Sequence, residues 1–197
     1  IKYSNGLIHN YIEQIFSLES VGCKDWLTNK VDRCVGGKVA KQQCVGELQL
    51  PLNNCGVMAL DYSTKHGVAT SIGHSPVSAL IDPNAGSKNS IAEALTNIIW
   101  APIENGLKGV SLSANWMWPC KNEGEDARLY KAVESVSKFA IELGINIPTG
   151  KDSLSMNQKY ENLEVKSPGT VIVSATAHCN NISNIIEPVF KLDKGSI

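Results

Sequence analysis

"GVATSIGHSPVSALIDPNAGSKNSIAEALTNIIWAPI", residues 67–103, changes its character halfway along. Its first eight residues read as a strand. Its second half, from about residue 86 to 103, reads as a helix that is apolar nearly all round. Ala101-Pro102 is expected to end that helix, since proline disfavours helical geometry in the residue before it. A strand leading into a mostly apolar helix calls for a layered domain in which the helix lies against a sheet.

The segments on either side extend the same pattern. Upstream, "CGVMALDY" (55–62) is a second strand-like run, joined to the first by a short polar stretch, as in an antiparallel pair. Downstream, "GVSLSANW" (109–116) is a strand, and "EGEDARLYKAVESVSKFAIELG" (123–144) is a long helix with acids in its first turn and Gly144 at its stop. "INIPTGKDSLSM" (145–156) reads as strand, turn, strand, and "SPGTVIVSATAHC" (167–179) as a strong β segment rich in Val, Ile and Thr. Residues 6–18 carry apolar side chains at helical spacing and should pack on the elements downstream, with a short second helix around Lys24 to Asn29. Between them and the strands, residues 31–56 are a glycine-containing structured loop with brief extended pieces, open to close approach by a ligand. The expected fold is α+β: a mixed four- to five-stranded sheet with two long helices on one face.

Composition narrows the function classes. The chain has 197 residues, 43 % hydrophobic and 19 % charged, with a net charge of -1. These values fit one soluble domain with a full core. No apolar run is long enough for a membrane span, and no basic face recommends nucleic acid, so neither a membrane nor a nucleic-acid partner is expected. The six cysteines are widely spaced and lack a C-x-x-C pair, which favours reduced cytoplasmic thiols over a disulfide framework or a zinc site. The first residues lack both Met and the features of a signal peptide, so the chain reads as a piece of something longer.

Three polar features stand out. Glu93 and Asn97 lie one helical turn apart in apolar surroundings; they are either a wetted helix face or a pair of hard oxygen ligands of the kind Mg²⁺ accepts. "TGKDSLSM" (149–156) offers a glycine, a lysine and hydroxyls, but it lacks the full P-loop pattern and serves equally as a plain turn. Trp116 and Trp118 follow a strand at alternate positions, a pattern of core or interface. No nucleophile-and-base set is present in the sequence, and no catalytic residue is assigned.

Several segments together resemble one family. "TNKVDRCVGGKVAKQQCVGELQLPLNNCGVMAL", "ATSIGHSPVSALIDPNAGSKNSIAEALTNIIWAPI", "LSANWMWPCKNEGEDARLY" and "GKDSLSM" occur in order and with similar spacing in the large, multidomain phosphoribosylformylglycinamidine synthases, also called formylglycinamide ribonucleotide amidotransferases. Those enzymes contain two aminoimidazole ribonucleotide synthetase-like units, and this chain resembles the N-terminal domain of the second. The resemblance implies a lead-in over 1–30, the synthetase-like domain over 31–182 and the start of a linker over 183–197. It also implies a sheet face that pairs with the equivalent domain of the first unit to form a barrel-like pseudodimer. Glutaminase and C-terminal domains of the same chain would be the other partners.

The implied activity is conversion of formylglycinamide ribonucleotide, ATP and glutamine to the amidine, ADP, phosphate and glutamate, with ATP/ADP and Mg²⁺ as cofactors. The domain alone is expected to be inactive. Residue by residue, the resemblance makes Glu93 and Asn97 Mg²⁺ ligands beside an auxiliary nucleotide. It makes Asn54 a third ligand, standing where relatives carry Asp, and Asn53 a nucleotide contact. Gly150 becomes a nucleotide contact and Ser153 a substrate contact; Lys151 replaces a metal-binding Asn of the shorter relatives, so no metal role passes to it. With an amide at position 54, the auxiliary site is either an ADP·Mg²⁺ module with a structural role or an empty ancestral site. Separated from its partner, the sheet face, expected to be apolar, should make the chain a homodimer.

Overall fold

The computed structural model describes residues 5–18, 21–23, 33 and 35–190. The short helix expected at Lys24 to Asn29 lies outside them. In chain order the elements are α1 (Ile8–Phe16), β1 (Val39–Lys41), β2 (Cys55–Ala59), β3 (Gly67–His74), α2 (Pro76–Ile81), α3 (Pro83–Ile98), β4 (Val110–Met117), α4 (Glu125–Leu143), β5 (Asn146–Ser153), β6 (Asn157–Lys159), β7 (Glu164–Lys166) and β8 (Thr170–Cys179).

The alternation in β8 organises the sheet. Val171, Val173, Ala175 and Ala177 are buried, and Ser174, Thr176 and His178 face the other way. β8 sits centrally and pairs antiparallel with β3 on one side, from Gly67↔Cys179 to His74↔Ile172, and with β4 on the other, from Val110↔Ala177 to Met117↔Thr170. The sheet has six strands in the order β1-β2-β3-β8-β4-β5, with β4 and β5 parallel. That exceeds the four or five expected, because the short β1 inside the 31–56 loop finds a partner ladder along β2. β2 and β3 form the antiparallel pair read from their sequences. β6 and β7 make a separate two-stranded hairpin.

Helices α3 and α4 cover one face. Ile91, Ala94, Leu95 and Ile98 of α3 and Val136 of α4 join Val57, Ala69, Leu112, Ala114 and Val173 in one core. Small residues on β3 let α3 approach closely: a Cβ on Gly73 would lie 2.1 Å from the Ser90 carbonyl oxygen, and Ser71 Oγ donates to Ala94 O at 2.6 Å. α3 begins at Pro83, earlier than expected, since Asp82 accepts the Asn84 N–H as its N-cap and proline suits the first helical position. The chain leaves the helix at Ile98 and tightens through Ala101 N–H to Ile98 O before Pro102. α4 carries Glu125 and Asp126 in its first turn and stops at Gly144, whose φ of 69° suits glycine.

Three expectations are corrected. α1 forms, preceded by a short 3₁₀ turn, but none of its residues is buried, so its apolar stripe is not covered as a packed helix face would be. "TGKDSLSM" is not a turn between strands: β5 runs straight through Ser153 because β4 offers a parallel ladder as far as Met117↔Ser153. Finally, the uncovered sheet face is mainly polar rather than apolar. Thr70, His74, Ser174, Thr176 and His178 are exposed there, together with the apolar Ile72 at 56 % and Met58 at 46 % exposure.

The tryptophans take the core reading. Trp118 is fully buried, its Nε1 donates to Glu125 Oε2 at 2.9 Å, and a Cβ on Gly169 would meet its indole at 2.2 Å. Trp116 is half-buried against the main core. Cys23, Cys55, Cys120 and Cys179 are free thiols, and no helix among the described residues is long and apolar enough to cross a membrane.

Candidate functional site

β2 begins at Cys55, opposite Ser71, so it offers no ladder partner to the last residues of β3. Two side chains of α3 supply what β2 does not. Glu93 Oε2 accepts the backbone N–H of His74 at 2.6 Å, and Asn97 Nδ2 donates to Ile72 O at 3.0 Å. The polar stripe of α3 therefore has a structural task, which the expectation of a bare wetted face did not include. It also leaves specific atoms free. Only the amide nitrogen can donate to a carbonyl, so the Asn97 oxygen is the atom left for a ligand, as is the second carboxylate oxygen of Glu93.

Asn53 repeats this arrangement from the other side. Its Nδ2 donates to Gln42 O at 2.7 Å, and its Oδ1 is buried with no hydrogen-bond partner. Asn54 follows it, exposed, just before β2. Asn53, Asn54, Glu93 and Asn97 line one groove of about 780 Å³ that opens onto the polar sheet face. A smaller pocket of about 180 Å³ adjoins it, walled also by Trp100 and by the segment Ile186, Glu187, Pro188. Four residues from two separate stretches of sequence, the 31–56 loop and α3, thus converge.

The sequence reading did not single out Lys41 or Arg33, which line the same groove. Lys41 is buried, and its Nζ donates to Ile186 O at 2.9 Å. Burial pushes its ammonium below the ordinary lysine range; Cys55 and Glu187 partly oppose that shift. The Cys55 thiol is pushed up, again mainly by burial. Arg33 donates to the side-chain oxygens of Gln42 and Gln49. The register of β1 shifts between Val39 and Lys41, so alternation along the strand gave no signal for Lys41.

Gly150 and Ser153 lie elsewhere. They sit on β5, separated from β2 by β3, β8 and β4, about 20 Å away at ordinary strand spacing. An odd separation along a strand also sends them to opposite faces. Ser153 accepts a hydrogen bond from Lys151 Nζ, and Asn115, in register with Lys151, has a buried and unpartnered Oδ1. The sheet therefore carries two separate polar clusters, one toward each edge.

Comparison with known proteins points one way. A family model described as the FGAR-AT PurM_N-like domain matches residues 23–178. The chain is 44 % identical over 192 residues to a probable phosphoribosylformylglycinamidine synthase of Caenorhabditis elegans, covering 98 % of this chain and 14 % of that protein. It is 42 % identical over 188 residues to the phosphoribosylformylglycinamidine synthase of Homo sapiens, covering 95 % of this chain and 14 % of the relative. Among solved structures, PurLQS from Thermotoga maritima has a similar fold, with a TM-score of 0.62 and 15 % identity over 86 % of this chain and 28 % of that one. T. maritima PurL complexed with ADP is also similar, with a TM-score of 0.57 and 14 % identity over 95 % of this chain and 25 % of that one. The chain thus spans about 14 % of the length of the curated relatives it matches.

Proposed function

Because the chain belongs to the family of FGAR-AT PurM_N-like domains, we propose that it serves as the nucleotide-holding N-terminal domain of the second synthetase-like unit in a phosphoribosylformylglycinamidine synthase. The parent would convert formylglycinamide ribonucleotide, ATP and glutamine to the amidine, ADP, phosphate and glutamate, in the cytoplasm. This domain would supply walls for nucleotide clefts and would not turn over substrate alone. The observation that carries the reading is the convergence of Asn53, Asn54, Glu93 and Asn97 on one groove. Other parts of the parent, including a glutaminase domain and an equivalent synthetase-like domain, are the proposed partners. The proposed segmentation is a lead-in over 1–30, the domain over 31–182 and a linker from 183.

The donor set fits Mg²⁺ in chemistry. One carboxylate oxygen of Glu93 and the oriented amide oxygen of Asn97 are hard donors, with Asn54 beside them, and the orphaned Asn53 Oδ1 marks a polar site prepared for a further partner. When bound, the metal would neutralise phosphate charge on a nucleotide. The chain's own residues hold and orient: Asn97 and Glu93 are fixed by backbone bonds to β3, and Asn53 by its bond to Gln42, so little ordering remains on binding.

Ser153, with Lys151 and Asn115 nearby, is the proposed substrate contact on the polar face, and Gly150 the proposed nucleotide contact on the opposite side of β5. The polar sheet face is the surface proposed to pair with the equivalent domain in a barrel-like arrangement; a homodimer would use the same face when this domain is alone. Titrating Mg·ADP into the purified chain by calorimetry tests the groove reading. Binding of one nucleotide per chain supports it, and the absence of binding in wild type removes it.

A further inference from the structure

Lys41 is the one charged side chain among the described residues that is buried, at 4 % exposure. It makes no ion pair within 4 Å there; its Nζ donates to the Ile186 carbonyl, and Glu187 acts on it only as a nearby charge. An ammonium has three N–H donors, and one carbonyl occupies one of them. Burial without an anion is costly, which is why buried lysines are rare unless a partner compensates them.

Lys41 lines both the main groove and the adjoining pocket, next to Asn53 and Asn54 in each. Arg33 adds a second cation to the main groove, held by the Gln42 and Gln49 amides. Set against these in the main groove are one carboxylate, Glu93, the neutral amides of Asn53, Asn54 and Asn97, and the exposed His74, while Glu187 lines the adjoining pocket. A single carboxylate with nearby cations grips a divalent metal weakly, because ligand charge sets cation affinity. The same balance attracts an anion, and ammonium-to-phosphate hydrogen bonds are strong because both partners are charged.

We propose that Lys41 is the phosphate anchor of this groove: with Ile186 O holding one of its donors, its ammonium bonds directly to the phosphate of a nucleoside diphosphate, making nucleotide binding largely independent of Mg²⁺. The inference rests on the reading of the groove as a nucleotide site and deepens it. Asn54 then does not leave the site short of charge. The charge that offsets the phosphates comes from β1.

Calorimetry with ADP and with adenosine, each in Mg²⁺ and in EDTA, tests this on the 197-residue chain and on its Lys41→Met and Lys41→Gln variants, with circular dichroism to establish folding. Wild type is expected to bind ADP at least about tenfold tighter than adenosine and to lose less than about threefold on chelation. Each folded variant is expected to lose about tenfold or more for ADP while keeping its adenosine affinity. Equal wild-type affinity for ADP and adenosine overturns the proposal, and this comparison needs no variant. ADP binding that disappears in EDTA, or that is unchanged in either folded variant, overturns the anchor while leaving the nucleotide site standing. Wild type that binds neither ligand removes the site itself, and the anchor with it.

Discussion

Glu93 Oε2 lies 2.6 Å from the backbone nitrogen of His74, closing a bond from α3 to the end of β3 where β2 no longer provides a ladder. Among the described residues, the same carboxylate is the only acid lining the groove. One side chain thus both fixes the helix to the sheet and sets the groove's affinity for cations. These two roles separate under substitution.

We predict that Glu93→Gln keeps an acceptor for the His74 N–H and shifts the unfolding midpoint by less than about 4 °C, equivalent to at most about 1 kcal/mol for an exposed bond. The increment that Mg²⁺ adds to ADP binding should vanish. Thermal-shift measurements with ADP in Mg²⁺ and in EDTA check this. A variant that responds to Mg²⁺ as wild type does would show that Glu93 is no ligand.

Asn54→Asp is predicted to act in the opposite direction. A second carboxylate should tighten Mg²⁺ by about tenfold and make ADP binding strongly metal-dependent, since ligand charge governs cation affinity. Metal titration followed by calorimetry reads the change. An unchanged metal dependence would place Asn54 outside the coordination sphere.

Two glycines hold the helices at their observed distance. A Cβ on Gly73 would lie 2.1 Å from Ser90 O, and one on Gly86 would lie 2.3 Å from the Ala79 nitrogen. Both contacts are with backbone, which cannot move aside cheaply. Alanine at either position should cost about 2–3 kcal/mol, seen as a lower urea midpoint. A loss within error of zero would mean that α3 and α2 do not pack this closely on these positions.

Asp61 should give stability a dependence on acid. Its carboxylate accepts the backbone and hydroxyl hydrogens of Ser63 and Thr64, and these bonds hold its pKa far below the usual carboxylate range. A depressed folded-state pKa means that the unfolded chain binds the proton first as pH falls. The contribution is complete above the ordinary value of about 3.9 and is lost below it, toward the depressed folded value. Denaturation midpoints of wild type and Asp61→Asn should therefore differ most at about pH 7 and converge toward about pH 2. A constant difference across that range would mean that the carboxylate charge is not what the turn uses.

Much of this was legible in the amino-acid order. Strand-like runs joined by a short polar stretch gave the β2–β3 pair, composition marked β4 and β8 as strands, and helix-end signals placed α4 between its acidic first turn and Gly144. The motif Glu93 and Asn97 was visible as a polar stripe, and its resemblance to a known family named the chemistry. Other features were not legible. β5 runs through "TGKDS" because β4 lies beside it, which is a long-range fact about partner backbone. The polarity of the open face was hidden for a similar reason, since alternation divides a strand into two faces without saying which one the helices will cover.

Local order thus determined most of the elements of this protein and the residue types available for a ligand, because helical and extended periods and capping act over a few neighbours. Only the tertiary structure decided which of those residues meet. Asn53 and Lys41 reach Glu93 and Asn97 through the pairing of β1, β2 and β3 beneath α3, while Gly150 and Ser153 are carried to the far edge by the strand order. The physical reason is that backbone ladders and close helix contacts join segments far apart in the chain, and no local pattern encodes which ladder a strand will complete.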